Sequence, residues 1–138
     1  MRNAALAHEV LPAVELSGFK QTELFDVLVG IYVTWAKSGV SVHLTMWRYA
    51  SAVRASQRSS VLMKADGTLT NYGTVAGVPN SFFGEMTGGA GTAEAETLFP
   101  AGDYVVRVHT DENIRDHGQL VKSVTSSVYD RLTLIIGQ

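Results

Sequence analysis

The chain has 138 residues, no cysteine, and a formal net charge of −2. This length suits one domain with its own core, and the missing cysteines exclude disulfides, thiolate metal sites and cysteine catalysis. The small negative charge argues against a nucleic-acid binder that neutralises phosphates. The charged fraction of 17% is below the roughly 25% of an average soluble protein. That deficit favours a surface hidden in an oligomer or larger assembly; an ordinary monomer with a plain surface is the alternative.

Residues 1–20 are predicted to form an extended N-terminal arm or short strand that leads into the domain. Pro12 and Gly18 limit any helix, and the apolar side chains favour packing on a neighbouring subunit over a frayed end. The candidate arm contacts are Leu6, Val10 and Leu11. No signal peptide is recognisable and no apolar run is long enough for a bilayer, so we expect a soluble protein with no membrane partner.

The segment from Leu24 to Tyr49 is predicted to be the central hairpin of the domain. It contains two long strands, LFDVLVGIYVTWA and VSVHLTMWRY, joined by a turn at 37–39. Side chains that alternate with period two are typical of half-buried antiparallel strands. One face is aliphatic. The other is too aromatic for plain solvent exposure and is expected to meet a second sheet, a sister subunit or a ligand: Tyr32, His43, Trp47 and Tyr49.

The remaining chain is predicted to add further strands. Residues 50–60 form a short helix or a solvated loop, and Asp66-Gly67 predicts a hairpin between strands at 61–64 and 68–72. A glycine-rich connection follows at 73–102 and is a binding loop, an intersubunit contact or a loop without a role. Strands at 103–110, 120–128 and 131–136 complete the chain. About eight to ten strands predict an all-β fold, a jelly-roll-like antiparallel β-sandwich, as a single domain over residues 21–138.

No motif predicts a catalytic residue, a metal site or a cofactor. The four histidines lack the paired spacing of zinc ligands. The loop at 111–118 begins like a calcium loop, but Arg115 occupies the position of an oxygen ligand and no glutamate closes it. The glycines at 84–91 lack the lysine and the strand-to-helix junction of a phosphate loop. A solvated turn or loop is the simpler interpretation of both segments.

The candidate ligand or interface residues lie on the polar face of the second strand: His43, Trp47 and Tyr49. Aromatic side chains that share a face could stack on sugar rings, which makes carbohydrate binding one hypothesis. The alternative is that these rings fill a packing face or a subunit interface, and we favour it.

Two resemblances bear on function. The segment TLFPAGDYVVRV at 97–108 resembles a strand opening common in β-sandwich accessory modules, including carbohydrate-binding ones. The whole chain resembles virion proteins of tailed bacteriophages, of the capsid decoration (cement) or fibre-knob type, in its apolar arm, low charge, lack of cysteine and glycine-rich excursion.

The second resemblance implies a non-enzymatic structural protein in the virion, assembled in the host cytoplasm. It would be a homotrimer that binds capsid or other virion proteins and no nucleic acid. A carbohydrate-binding module is the alternative, and an enzyme whose site only the fold assembles is a third possibility.

Overall fold

The computed structural model describes residues 20–27, 30–37, 40–63, 69–87, 93–110 and 114–136. These residues form, in chain order, β1 (Lys20–Val27), β2 (Gly30–Lys37), β3 (Val40–Arg48), α1 (Ala52–Met63), β4 (Leu69–Gly73), β5 (Phe82–Thr87), β6 (Ala93–Ala101), β7 (Tyr104–Thr110) and α2 (Ile114–Ile136). The candidate arm contacts Leu6, Val10 and Leu11 lie outside the described residues.

All seven of these strands belong to one antiparallel sheet, in the order β1-β2-β3-β7-β6-β5-β4. Two meanders, β1–β3 and β4–β7, meet where β3 pairs with β7. The predicted β-rich antiparallel character is therefore confirmed. The second sheet of a β-sandwich or jelly roll is not found among the described strands. Two helices, which an all-β fold would lack, cover the sheet instead.

The helices pack on opposite faces of the sheet. Along β7, Val106 and Val108 belong to the large core cluster that includes α2, whereas Val105 belongs to the smaller cluster that includes α1. Successive side chains of a strand point to opposite faces. We therefore call the face under α2 the first face and the face under α1 the second face.

Residues 114–136 correct the prediction of strands at 120–128 and 131–136. They form the 23-residue helix α2, and its buried side chains follow helical spacing: Val121, Val124, Val128 and Leu132. Leu134, which the strand interpretation placed with Leu132, is 76% exposed. The many β-branched residues of this segment favour a strand locally, but burial of the helical stripe against the sheet decides the structure.

The predicted hairpin around Asp66-Gly67 is also wrong. Residues 61–63 are the last turn of α1, and β4 pairs with β5 rather than with the preceding segment. Residues 64–68 lie outside the described ranges. The helix begins where Ser51 accepts a hydrogen bond at its hydroxyl oxygen from the Arg54 backbone N–H, at 3.2 Å, as an N-cap residue does.

The central hairpin is confirmed at β2 and β3, which pair from Gly30↔Trp47 to Lys37↔Val40. The single long strand predicted from Leu24 to Ala36 is instead two strands, β1 and β2, which pair with each other. The period-two pattern does not continue across that reversal, because Phe25 is the register partner of Tyr32. At the start of β2, a Cβ on Gly30 would collide with the backbone carbonyl of Met46, so only glycine allows this close strand approach.

Neither α1 nor α2 has the combination of length and hydropathy that a transmembrane helix needs.

Candidate functional site

The three predicted site residues share the second face but have two different surroundings. Trp47 and Tyr49 are half-buried and pack against the apolar cluster beneath α1, whose members are Ala55, Phe82, Leu98 and Val105. His43 lies in a polar part of the same face. The aromatic face predicted to need a partner therefore meets a helix at one end and a set of polar side chains at the other.

Four polar residues form a straight row across the second face, which we call the polar row. Thr34 of β2 is the register partner of His43 on β3, His43 is the partner of His109 on β7, and His109 is the partner of Glu96 on β6. Side chains at register partners on one face are direct neighbours in an antiparallel sheet. The row therefore crosses four strands.

His43 is held from both sides. The hydroxyl oxygens of Tyr32 and Thr34 lie 2.9 and 3.0 Å from its Nδ1 atom. Its ring stacks on Tyr32 and on His109, with centroid distances of 6.1 and 4.9 Å and interplanar angles of 24° and 28°. The imidazole is therefore fixed in position and orientation within the sheet.

A hydroxyl beside an imidazole is the pairing that activates a nucleophile in hydrolases. Here the hydroxyl of Thr34 belongs to a residue that is only 5% exposed, on a strand that is paired on both sides. Such a hydroxyl has no open approach for a substrate. The contact is better explained as a hydrogen bond that satisfies buried polar groups between two strands.

Glu96 ends the row and is paired with Arg107. The Arg107 Nε–H donates to Glu96 Oε1, and both side chains are largely buried. Glu96 Oε2 is also buried and accepts no hydrogen bond from any described residue. Burial raises the pKa of the Glu96 carboxyl above its usual range, and the nearby charge of Glu94 adds to the rise. The charge and hydrogen bond of Arg107 lower the pKa, but by less.

The polar row offers hydrogen-bond donors and acceptors together with one buried ion pair. Across the described ranges, no group of three or more His, Asp or Glu side chains is placed to hold a metal ion. His8 and the side chain of His117 fall outside those ranges. The polar row can bind or orient polar groups. At its end, the opposite charges of Glu96 and Arg107 lie close together and largely buried.

Sequence reasoning found His43 but missed Thr34, Glu96, Arg107 and His109. The alternation of DYVVRVHT correctly places Arg107 and His109 on one face of a strand. Nothing local indicates that this strand lies beside β3, because the pairing joins residues more than 50 positions apart in the chain. Glu96 is buried in the run 95–99 and is the one charged residue in it. A charge among four uncharged residues is the signal that could have identified it.

The outer side of α1 is a second surface of interest, which we call the α1 stripe. Val53 and Val61 are 66% and 55% exposed, and with three small or polar residues they line a shallow groove: Ser56, Gln57 and Ser60. Arg54 and Arg58 are exposed on the same helix, which contains no acidic residue. The stripe therefore has an apolar side chain at each end, small or polar side chains between them, and two basic side chains beside it.

No protein-family model and no curated protein matches the chain. Among solved structures, the extracellular domain of PknH from Mycobacterium tuberculosis is similar, with a TM-score of 0.49 and 14% sequence identity. The match covers 88% of this chain and 69% of that one. A similarity at this level supports no conclusion about what this chain does.

Proposed function

We propose that the chain is a non-enzymatic structural protein of a virion, a capsid decoration or knob protein that stabilises a particle by binding other subunits. The observation that supports this function best is the α1 stripe, where the side chains of Val53 and Val61 are exposed to solvent. Exposed apolar side chains that line one groove suit contact with another protein surface. The low charged fraction of the sequence, 17%, points the same way.

The chemistry of the α1 stripe defines the surface that fits it. Val53 and Val61 are eight positions apart, about 12 Å along the helix axis. The small side chains between them let a partner approach closely. Burial of this apolar area would contribute about 25 cal/mol per Å² before the cost of association. Because Arg54 and Arg58 have no carboxylate on their own helix, the partner surface should be apolar with an acidic margin.

A second copy of the chain offers, on α2, one exposed apolar side chain with a carboxylate nearby. Leu134 is 76% exposed, and the exposed Asp130 precedes it by one helical turn, with Arg131 beside them. Because the α1 stripe and Leu134 belong to different surfaces of the chain, a contact between them in two copies is head-to-tail. A head-to-tail contact that closes forms a ring, which is consistent with the proposed homotrimer.

Introducing aspartate at both Val53 and Val61 should convert the oligomer to a monomer, because two charges would be desolvated in the contact. Light scattering coupled to size-exclusion chromatography measures this change directly. Thr74→Asp, at an exposed position between β4 and β5, is the control and should leave the wild-type mass unchanged. A wild-type chain that remains monomeric up to millimolar concentration would contradict the oligomer proposed here.

A second candidate function is carbohydrate binding at the part of the second face that lies beside α1. The supporting observation is a set of half-buried hydrogen-bonding side chains in one area: Tyr32, Ser41, His43 and Thr45. Hydroxyl and imidazole groups that are already oriented suit the hydroxyls of a sugar. The packing of Trp47 and Tyr49 under α1 moves this candidate site away from the aromatic pair that the sequence suggested.

If this second function holds, an array of immobilised glycans should capture the wild-type chain, and His43→Ala should abolish capture of the same glycans. His43→Ala leaves the cluster beneath α1 intact, so thermal unfolding should show that the variant is folded. Lys122→Ala, on the opposite face of the sheet, is the control and should bind as wild type does. Capture that is equal for all three chains, or absent for wild type, would exclude this function.

A further inference from the structure

A cavity of about 190 Å³ lies on the α2 side of the sheet, away from the polar row and the α1 stripe. It opens between the loop that precedes β5, the turn between β6 and β7, and the second half of α2. Its main lining residues are Pro79, Asn80, Pro100, Tyr129, Leu132 and Thr133. Neither the proposed function nor the second candidate uses this cavity.

Two tight turns give the cavity fixed walls. Asn80 and Gly102 have φ angles of 56° and 58°, a left-handed conformation that asparagine and glycine adopt most readily. Behind Asn80, the buried Ser81 hydroxyl accepts a hydrogen bond from the Val75 backbone N–H at 2.8 Å and donates to the Val75 carbonyl at 3.3 Å. These two buried hydrogen bonds hold the wall at Asn80 in place. A site formed before its ligand arrives loses less conformational entropy on binding.

Three polar groups are available inside this mostly apolar lining. The Tyr129 ring packs edge-on against Phe99, with centroids 5.9 Å apart. Among the described residues, neither the Tyr129 hydroxyl nor the Asn80 amide has a hydrogen-bond partner. The Thr133 hydroxyl donates to the Asp130 carbonyl at 2.9 Å, so its oxygen can still accept.

The size and chemistry of the cavity select the ligand. A cavity of about 150 Å³ lined by apolar side chains is large enough to bind benzene. A sugar ring would also fit by size, but its four or five hydroxyls outnumber the three polar groups of the lining, and unpaired hydroxyls are costly to bury. One aromatic ring with a single hydrogen-bonding substituent satisfies both the apolar walls and the polar groups.

We propose that this cavity is a binding site for a phenol-type ring, supplied either by a free phenolic molecule or by a tyrosine side chain of a partner. The ring would lie between Pro79, Pro100 and Leu132, and its hydroxyl would reach Tyr129, Asn80 or Thr133. This site does not depend on the proposed structural function or on carbohydrate binding.

A titration with phenol, monitored by NMR through the backbone amide chemical shifts, tests the proposal. We expect saturable shifts at millimolar concentration, as a fragment of this size allows, confined to residues 79–80, 100–102 and 129–133. Toluene, which lacks the hydroxyl, should bind about tenfold more weakly, the effect of one hydrogen bond. Phenol shifts that never saturate, or that spread evenly over the surface, would overturn the site.

Variants connect the binding to the cavity. Thr133→Phe places a ring in the cavity and should abolish phenol binding, whereas Ser123→Phe places the same ring on the exposed side of α2 and should leave binding unchanged. Comparison of phenol with N-acetyl-tyrosinamide distinguishes the two sources of the ring, since tighter binding of the amide indicates a tyrosine in a partner chain. Equal phenol binding by a folded Thr133→Phe variant would overturn the proposal.

Discussion

Replacing Arg107 by leucine should lower the free energy of unfolding by about 3–5 kcal/mol at neutral pH, the usual loss when one partner of a buried ion pair is removed. Glu96, whose side chain is only 6% exposed, would then remain in the sheet without its cation. Arg107 itself is 24% exposed, which favours the lower end of that range. Urea unfolding at pH 7 measures the loss through the shift of the midpoint.

The unfolding free energy lost by Arg107→Leu should become smaller as the pH falls, because the pKa of Glu96 is raised. The folded state binds a proton at Glu96 at a higher pH than the unfolded state does, so stability increases as the pH decreases through the folded pKa toward the ordinary carboxyl range near 4.5. Without Arg107, the pKa of Glu96 should rise further. Arg107→Leu should therefore recover part of its stability between pH 7 and pH 5.

The double variant Arg107→Leu/Glu96→Gln is the matched control. It removes the titrating carboxyl, so its stability relative to wild type should depend less on pH and should exceed that of Arg107→Leu at pH 7. A loss for Arg107→Leu that is identical at pH 7 and pH 5 would show that Glu96 is not the group responsible.

Replacing Phe99 by alanine should also lower the free energy of unfolding by about 3–5 kcal/mol, the range for a fully buried phenylalanine. Phe99 is completely buried in the core cluster beneath α2 and contacts the Tyr129 ring at its edge. Loss of its ring removes apolar contacts between β6 and α2 and leaves a cavity. Urea denaturation should show the lower midpoint with an unchanged slope.

Phe99→Leu provides the comparison for this position. It keeps most of the apolar volume and should cost less than about 1.5–2 kcal/mol. If alanine and leucine at position 99 were equally tolerated, α2 would not be packed on this part of the sheet as described. Far-ultraviolet circular dichroism should confirm that both variants keep the helix and strand content of the wild type.

The sequence by itself predicts the strands whose pattern is local and periodic. In β2, β3 and β7 each side chain's face follows from the period of two, which places His43 and Trp47 on one face. Tyr49, just after β3, packs on the same cluster as Trp47. The aromatic character of that face predicted a second sheet, a sister subunit or a ligand over it, whereas helix α1 covers Trp47 and Tyr49. Local alternation carries this information because it reflects the geometry of a single strand.

Sequence reasoning could not identify what covers each face or which strands are neighbours. α1 covers Trp47 because the chain crosses the second face between β3 and β4. α2 is a helix because its spaced valines are buried against β6 and β7. The polar row exists only because β7, the last of the described strands in the chain, pairs with β3. Strand pairing of this kind joins residues far apart in the chain and leaves no local pattern. The helical spacing in α2 is present in the sequence, but its β-branched residues also favour a strand, and burial against the sheet decides between the two.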